Sequence, residues 1–401
     1  MFKSKSIIIV ILSILLFLPT TIANADQRYP FEIKANHILI MDYETGHVLY
    51  EKNAREAVAP ASLTKIMTMY VIFDALENGE ISLEDKVTIS KEATTLVPGA
   101  SRIWAVPGSE VSVEELLIAI SVLSANDAGI AIAEEISGSE KMFVQRMNKT
   151  AEEIGLEHTN FKNSHGLDQD NHTMSAYDVA KLSQILISDF PQALEYSSIT
   201  SYTMSDSSTS FVSTFKNLLV NHQNIDGLKT GYTGNAGRCI SVTSTINHRR
   251  YIIVLMDVEG NTHRETISNR DSLVEEIMYD YIASEFESRK VLNAKEEVKS
   301  ITISSAKRGK YAVGSINDLE VVTPREHTFL SPHINIDKSI SAPLEKGDVV
   351  GSIKYKVNGQ VALESPLHAL EDVPRANFIA RGFWGIIDSI SNSFSWIINL
   401  F

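Results

Sequence analysis

Apolar and polar positions first alternate near the start of the globular sequence. His37, Leu39 and Met41 alternate with Ile38, Ile40 and Asp42, and Gly46 stands where a turn would be. This predicts a β-hairpin of residues 38–42 with 47–51. The period then lengthens. Leu63, Ile66, Met67, Tyr70, Val71 and Leu76 are too many apolar residues for one narrow stripe, so a helix over about 61–76 is expected to lie largely buried. Ser112-Val113-Glu114-Glu115 is a capping box, and the helix it opens runs to about 122. That helix stops at Ser124-Ala125-Asn126, and another follows over 127–136. An amphipathic helix over 139–154 and one over 176–187, capped by Ser175, come next. From 225 to 258 the pattern changes again. Asp226-Gly227 marks a turn, and two β-branched runs, 239–244 and 251–258, flank Asn247-His248-Arg249-Arg250 as an antiparallel hairpin. A helix over 271–286 closes this part. Strands at both ends with helices between them predict an α+β domain, an antiparallel sheet beside a helical cluster.

Beyond about residue 291 the helical period disappears. Strands are expected over 298–303, 319–322, 348–355 and 360–363, with Asn358-Gly359 as a hairpin turn, which makes a small all-β second domain. The last stretch is different. Ile379, Phe383, Ile386, Ile387, Ile390, Phe394, Ile397 and Phe401 recur mostly three or four apart, and Asp388, Ser391, Asn392, Ser395 and Asn399 fall mostly elsewhere. Phe383, Trp384 and Trp396 suit a headgroup boundary. Asp388 and the many Ser and Asn interrupt the run, so a helix lying in a membrane surface is expected rather than a spanning one. At the other end Lys3 and Lys5 precede an apolar run over 7–18, and Ala23-Asn24-Ala25 is a small-residue cleavage site, the pattern of a secretory signal. The expected plan is a signal over 1–25, an α+β domain over 26–290, an all-β domain over 291–373 and an amphipathic membrane-anchoring helix over 374–401.

Charge and cysteine usage narrow the possibilities. The 401 residues carry 36 basic and 50 acidic side chains, a net charge of −14, which argues against a nucleic-acid partner. The single cysteine, Cys239, permits no intramolecular disulfide, so an exported chain of this kind relies on the size of its core. Cys239 lies on a strand between apolar residues and reads as core. The 11 histidines form no His-Glu-x-x-His pair, and neither a catalytic metal nor another cofactor is expected.

Three short stretches carry chemistry. In Ser62-Leu63-Thr64-Lys65, residues three apart share a helix face, and Ser62 falls in the first turn after Pro60. A hydroxyl there sits among unpaired N–H groups at the positive end of the helix dipole, and a neutral Lys65 could take its proton. Ser124-Ala125-Asn126 lies between two helices. A loop serine can pass protons, and an asparagine amide can bind a carbonyl or orient a lysine. Lys229-Thr230-Gly231 follows the Asp226-Gly227 turn. Lysine and threonine on a strand edge suit a carboxylate, while glycine admits a substrate backbone. Each stretch alone is weak: Ser-x-x-Lys arises by chance, Ser and Asn are ordinary cap residues, and a strand end often carries lysine. Their joint occurrence in this order is the signature of class A β-lactamases and penicillin-binding proteins.

On these residues the sequence resembles the low-molecular-mass penicillin-binding proteins, the serine D-alanyl-D-alanine carboxypeptidases. The resemblance runs through residues 58–65, Ser124-Ala125-Asn126-Asp127-Ala128, Asn163-Ser164-His165-Gly166-Leu167 and residues 226–233, and on through the β domain to the tail. It implies a catalytic domain of the β-lactamase and penicillin-binding-protein type over 26–290. It also implies removal of the terminal D-alanine from peptidoglycan stem peptides through a Ser62 acyl-enzyme, with β-lactams as inhibitors. Lys65 would be the base, Ser124 and Asn126 would line the cleft, and Lys229 and Thr230, with Gly231 beside them, would hold the substrate carboxylate. The oxyanion hole would be the backbone N–H of Ser62 with that of Tyr232 or Thr233. Some members have a carboxylate-binding arginine ahead of the last helix, which Arg270 matches, with Arg264 as a competitor. His165 reads as a support for its loop, since Ser62 already has Lys65. The export signal and the apolar face of the tail lead to the expectation that the protein sits on the outer face of the cytoplasmic membrane, held peripherally by its tail. A β-lactamase is the first rival, but the Glu-x-x-Leu-Asn stretch that would activate its hydrolytic water is absent. A non-catalytic wall-peptide-binding relative and an endopeptidase are the others.

Overall fold

A computed structural model describes residues 33–205, 209–307, 309–326 and 328–376. The expected signal segment 1–25 and the tail beyond Ala376 lie outside the described residues.

The larger domain is built on one antiparallel sheet of β1 (Ala35–Asp42), β2 (Val48–Lys52), β3 (Ile225–Thr233), β4 (Gly237–Ile246) and β5 (Arg249–Val258), in the order β2-β1-β5-β4-β3. The first hairpin therefore joins the last, with Ile38 opposite Leu255 and Ile40 opposite Ile253. Both faces of β1, β4 and β5 are covered, so their sequences are nearly continuous apolar runs. The helix Lys65–Glu77 runs through the core with Ile66, Met67, Met69, Val71, Ile72 and Phe73 buried, as its all-round apolar pattern requires. Around it pack Asn126–Ser137, Glu140–Glu153 and Ala176–Asp189. The expected helix after Ser112 is regular only over Val113–Ile118. It widens into a π turn at Ala119–Leu123 and ends at Ser124 in the left-handed region, φ 64°.

The last helix of this domain departs from expectation. It begins at His263, not at 271, and runs to Glu276. Thr262 accepts from the Glu265 N–H at 3.1 Å, and Glu265 accepts from the Asn261 N–H at 2.9 Å, a reciprocal cap. The first turns of this helix are polar, so an apolar period could not reveal them. Arg270 consequently lies inside the helix rather than ahead of it.

The C-terminal part is all-β. Phe286–Leu292 pairs with Leu319–Pro324, and a five-stranded sheet runs Glu297–Ile301, Tyr311–Gly314, Gln360–Ala369, Val349–Val357, Leu330–Ile336. Three of these strands, Phe286–Leu292, Tyr311–Gly314 and Leu330–Ile336, were not predicted. Leu330–Ile336 is a half-exposed edge carrying Pro332, which weakens both the alternation and the strand signal. Arg249 joins the two parts: its guanidinium holds the buried Asp42 at 2.5 and 2.8 Å and reaches Ser288 at 3.2 Å.

Candidate active site

Ser62 sits in a single 3-10 turn, Ala61–Thr64, that feeds directly into the buried helix. In such a turn positions i and i+3 eclipse, so the side chain of Lys65 returns past Ser62, and their Nζ and Oγ stand 3.1 Å apart. Lys65 is 0% exposed. Its Nζ also donates to Asn126 Oδ1 at 2.7 Å and to the His165 carbonyl at 2.6 Å. Burial pushes its pKa well below the ordinary lysine range. The charge of Lys229 adds to that, and Asp127 opposes it. A neutral amine has two N–H groups and one lone pair. Both carbonyl oxygens can only accept, so each takes an N–H, and the lone pair is left facing the Ser62 hydroxyl. The geometry suits removal of the serine proton.

Two loops supply these acceptors. Asn126 opens its helix with its own N–H on the Ser101 carbonyl, 2.8 Å. The residue before the intervening Ala125, Ser124, is held in the left-handed region, where a non-glycine residue costs about 1–2 kcal/mol. Its hydroxyl is buried without a protein partner among the described residues and lines the cleft. The second loop is Asn163-Ser164-His165-Gly166-Leu167. Asn163 Oδ1 accepts from the Gly166 N–H at 2.6 Å and from the His165 N–H at 3.3 Å. Gly166 has φ +89°, and a Cβ there would stand 1.9 Å from the Ala61 carbonyl oxygen, so only glycine lets this loop approach the Ser62 turn.

The two histidines of this region are structural. Leu167 N–H donates to His165 Nδ1 at 3.2 Å, and Lys162 N–H donates to His172 Nδ1 at 2.9 Å. Each neutral ring therefore carries its proton on Nε2. Burial is the main cause that lowers His165 to about 3 and His172 to about 4. His172 Nε2 meets Thr64 Oγ1 at 2.7 Å, and that hydroxyl donates to Ala61 O at 2.9 Å, which braces the nucleophile turn. Nothing in the sequence singled out His172.

The third motif lies on β3. A Cβ on Gly231 would fall 2.9 Å from the Ala61 Cβ and 3.0 Å from the Ser62 N, so the strand can pass this close only with glycine there. Thr230 donates to Thr214 Oγ1 at 2.6 Å, and both line the cleft. Lys229, expected to hold substrate directly, is 0% exposed. Its amine donates to the Thr230 carbonyl at 3.0 Å from behind the cleft wall, where burial and then Arg270 lower it to about 7.

Arg270 does not line the cleft. It is 2% exposed and ion-paired with Asp271 at 2.6 Å, because it belongs to the buried face of its helix. The arginine in the cleft wall is Arg238, which sequence reasoning missed. The signal was available in the register: the β3–β4 hairpin sets Arg238 opposite Tyr232, on the face that also carries Thr230. Its guanidinium stacks on Tyr232, 4.4 Å from the ring centroid, while one Nη faces His263 and Nε has no protein partner among the described residues. Arg264 also lies outside the cleft and lines a separate groove of about 580 Å³ beside its own helix, which contains no residue of the three motifs. The cleft itself is about 200 Å³ and runs from Ser62, Ser124 and Asn126 to Thr230, Tyr232 and Arg238. That is smaller than the roughly 300–1,000 Å³ of drug-sized pockets and suits the end of a peptide.

Known proteins share this arrangement. The family model described as D-alanyl-D-alanine carboxypeptidase matches residues 21–260, and the one described as penicillin-binding protein 5, C-terminal domain, matches 286–375. D-alanyl-D-alanine carboxypeptidase DacF of Bacillus subtilis is 34% identical over 93% of this chain and 95% of its own length. DacA of Escherichia coli is 31% identical over 90% and 88%. Penicillin-binding protein 5 from Haemophilus influenzae superposes with a TM-score of 0.74 at 31% identity, covering 87% of this chain and all of that one. Penicillin-binding protein D2 of Listeria monocytogenes, solved in an ampicillin-bound form, has a TM-score of 0.54 at 30% identity over 62% of this chain and 98% of its own. With both domains matched and its three motifs meeting in one cleft, the chain belongs to the D-alanyl-D-alanine carboxypeptidase family.

Proposed function

We propose that Ser62 is the nucleophile that releases the terminal D-alanine of peptidoglycan stem peptides, the reaction of a serine-type D-Ala-D-Ala carboxypeptidase. The observation that carries this reading is the buried Lys65 amine, held by two carbonyl acceptors with its Nζ 3.1 Å from Ser62 Oγ. Lys65 takes the Ser62 proton as Oγ bonds to the carbonyl carbon of the penultimate residue. The backbone N–H of Ser62, with that of Tyr232 or Thr233, would serve the developing oxyanion. The C–N bond then breaks, and the terminal D-alanine leaves as an amine with the proton Lys65 took, relayed by Ser124. Water adds to the ester and frees Ser62. A β-lactam enters the same path and stays as the acyl-enzyme. Thr230 and Arg238 receive the substrate carboxylate, and the charge of the buried Lys229, which titrates at about 7, adds to the cationic character of this end of an otherwise acidic protein.

The assay is release of D-alanine from a D-alanyl-D-alanine peptide beside turnover of nitrocefin. Release of D-alanine with slow trapping by nitrocefin is expected. Fast nitrocefin hydrolysis with no D-alanine release would make the protein a β-lactamase.

The proposed location rests on two residue patterns. The 1–25 signal pattern supports export, and the apolar stripe of 374–401 supports peripheral attachment to the outer face of the cytoplasmic membrane. A chain of 26–374 should stay soluble and active, while the full mature chain binds anionic liposomes. Equal solubility of both with no liposome binding would remove the anchor.

A further inference from the structure

Lys65 depends on a carbonyl in a loop, and the loop depends on a residue outside all three motifs. Glu140 stands in the first turn of the helix Glu140–Glu153, which is capped by Ser139. Its Oε1 turns away from its own helix and accepts from the Ser164 N–H at 2.9 Å and from the Ser164 hydroxyl at 2.7 Å. The same oxygen lies 3.6 Å from His165 Nε2, the nitrogen that carries the proton of that neutral ring. Ser164 is fully buried, so its backbone N–H needs an acceptor, and Glu140 provides it. On the other side Thr68 Oγ1 donates to the Ser164 carbonyl at 2.5 Å. Residue 164 is thus pinned from two helices, and the next carbonyl, that of His165, points at Lys65 Nζ.

We propose that Glu140 is a positioning residue for the general base: by holding Ser164 and the His165 ring it aims the His165 carbonyl at Lys65, and so aims the lone pair of Lys65 at Ser62. Asn163 fixes the Gly166 N–H of the same peptide plane, but it belongs to the loop and moves with it. Glu140 and Thr68 are the anchors from outside. Glu140 does not line the cleft, so it leaves substrate binding alone. Its carboxylate geometry matters through one oxygen, which a glutamine can replace. The charged groups that set the level of Lys65 itself are Lys229 and Asp127.

The inference rests on Ser62 and Lys65 acting as nucleophile and base. Penicillin acylation of the unaltered mature protein is therefore the control: its absence sinks that reading, not this one. The test compares Glu140→Ala, Glu140→Asp and Glu140→Gln in the full mature chain. Acylation by benzylpenicillin, kcat and KM for D-alanine release, the pH dependence of acylation and the melting temperature are measured. A carbonyl displaced by about an ångström lowers acylation and kcat roughly 10- to 100-fold in the Ala and Asp variants, with KM unchanged. The acid limb of the pH profile moves to lower pH, because an ammonium that loses an acceptor is easier to deprotonate. Glu140→Gln retains most of the rate. Loss of folded protein would scale the profile without moving its limb. Should Glu140→Ala fail to fold, Glu140→Asp, which keeps a charge suited to a helix N-terminus, carries the test. Wild-type acylation in the Asp variant, a loss confined to KM, or an unmoved limb overturns the proposal.

Discussion

The two ends of the cleft differ in how their polar groups are satisfied. At the nucleophile end Lys65 Nζ donates to two carbonyl oxygens, and the histidines behind it have both ring nitrogens engaged or facing a partner. At the carboxylate end Arg238 Nε is buried without a protein partner among the described residues. An unmade hydrogen bond in a buried place costs about 1–3 kcal/mol, so the second end is built to be completed by a ligand. One end is organised before substrate arrives, and the other becomes complete with substrate in it. The first should govern rates and the second affinities.

Substitutions at either end can break that division. Lys65→Ala removes the base and should lower acylation by about 10²–10⁴-fold, measured with benzylpenicillin, while peptide affinity changes little. A KM effect as large as the rate effect would put Lys65 in substrate binding. Next in size, Arg238→Gln and Thr230→Val should each cost a charge-assisted hydrogen bond to the substrate, about 1.5–3 kcal/mol. That loss should appear in KM for peptides with a free terminal carboxylate, and esters of the same peptides should be spared. Arg270→Gln provides the contrast: it should leave this preference for a free carboxylate in place, because its side chain lies outside the cleft.

A smaller effect should follow pH. Lys229 titrates at about 7 and is charged below that value. Raising the pH through 7 should therefore raise KM for carboxylate substrates and leave KM for esters flat. A still smaller effect concerns stability. His172 titrates at about 4 in the folded chain, held down first by burial, and at roughly 6.5 when unfolded. Its neutral ring contributes fully above pH ~6.5, and the contribution fades as pH falls toward 4, since the unfolded chain binds the proton first. Melting temperature should fall across that window, and His172→Asn should flatten the fall. An unchanged slope would mean that other groups carry the acid sensitivity.

What could be read from the residues depends on whether a role is local in the chain, not on which end of the cleft it serves. Ser62, Lys65, Asn126 and Thr230 were legible because each stands in a short motif whose spacing is local: one turn, one interhelix loop, one strand. The hairpins of β1–β2 and β4–β5 were legible because alternation and turn residues are local too. Arg238 and Glu140 were not, since their roles exist only across a strand pair or between a helix and a distant loop. The Tyr232–Arg238 register could have pointed to the first. No spacing links Glu140 to Ser164. Arg270 was misplaced because the helix beginning at His263 opens on polar residues, and its cap at Thr262 and Glu265 was overlooked. In the β domain, the strands that apolar patterns missed are short or half exposed, Tyr311–Gly314 and Leu330–Ile336 among them.

The central claim is that Ser62 carries the acyl group, and mass spectrometry of the mature protein after incubation with benzylpenicillin tests it most directly. The account predicts one adduct of the mass of the intact drug, located on the peptide containing Ser62 and absent from a folded Ser62→Ala protein. An adduct on any other residue, or labelling that survives Ser62→Ala, would contradict it.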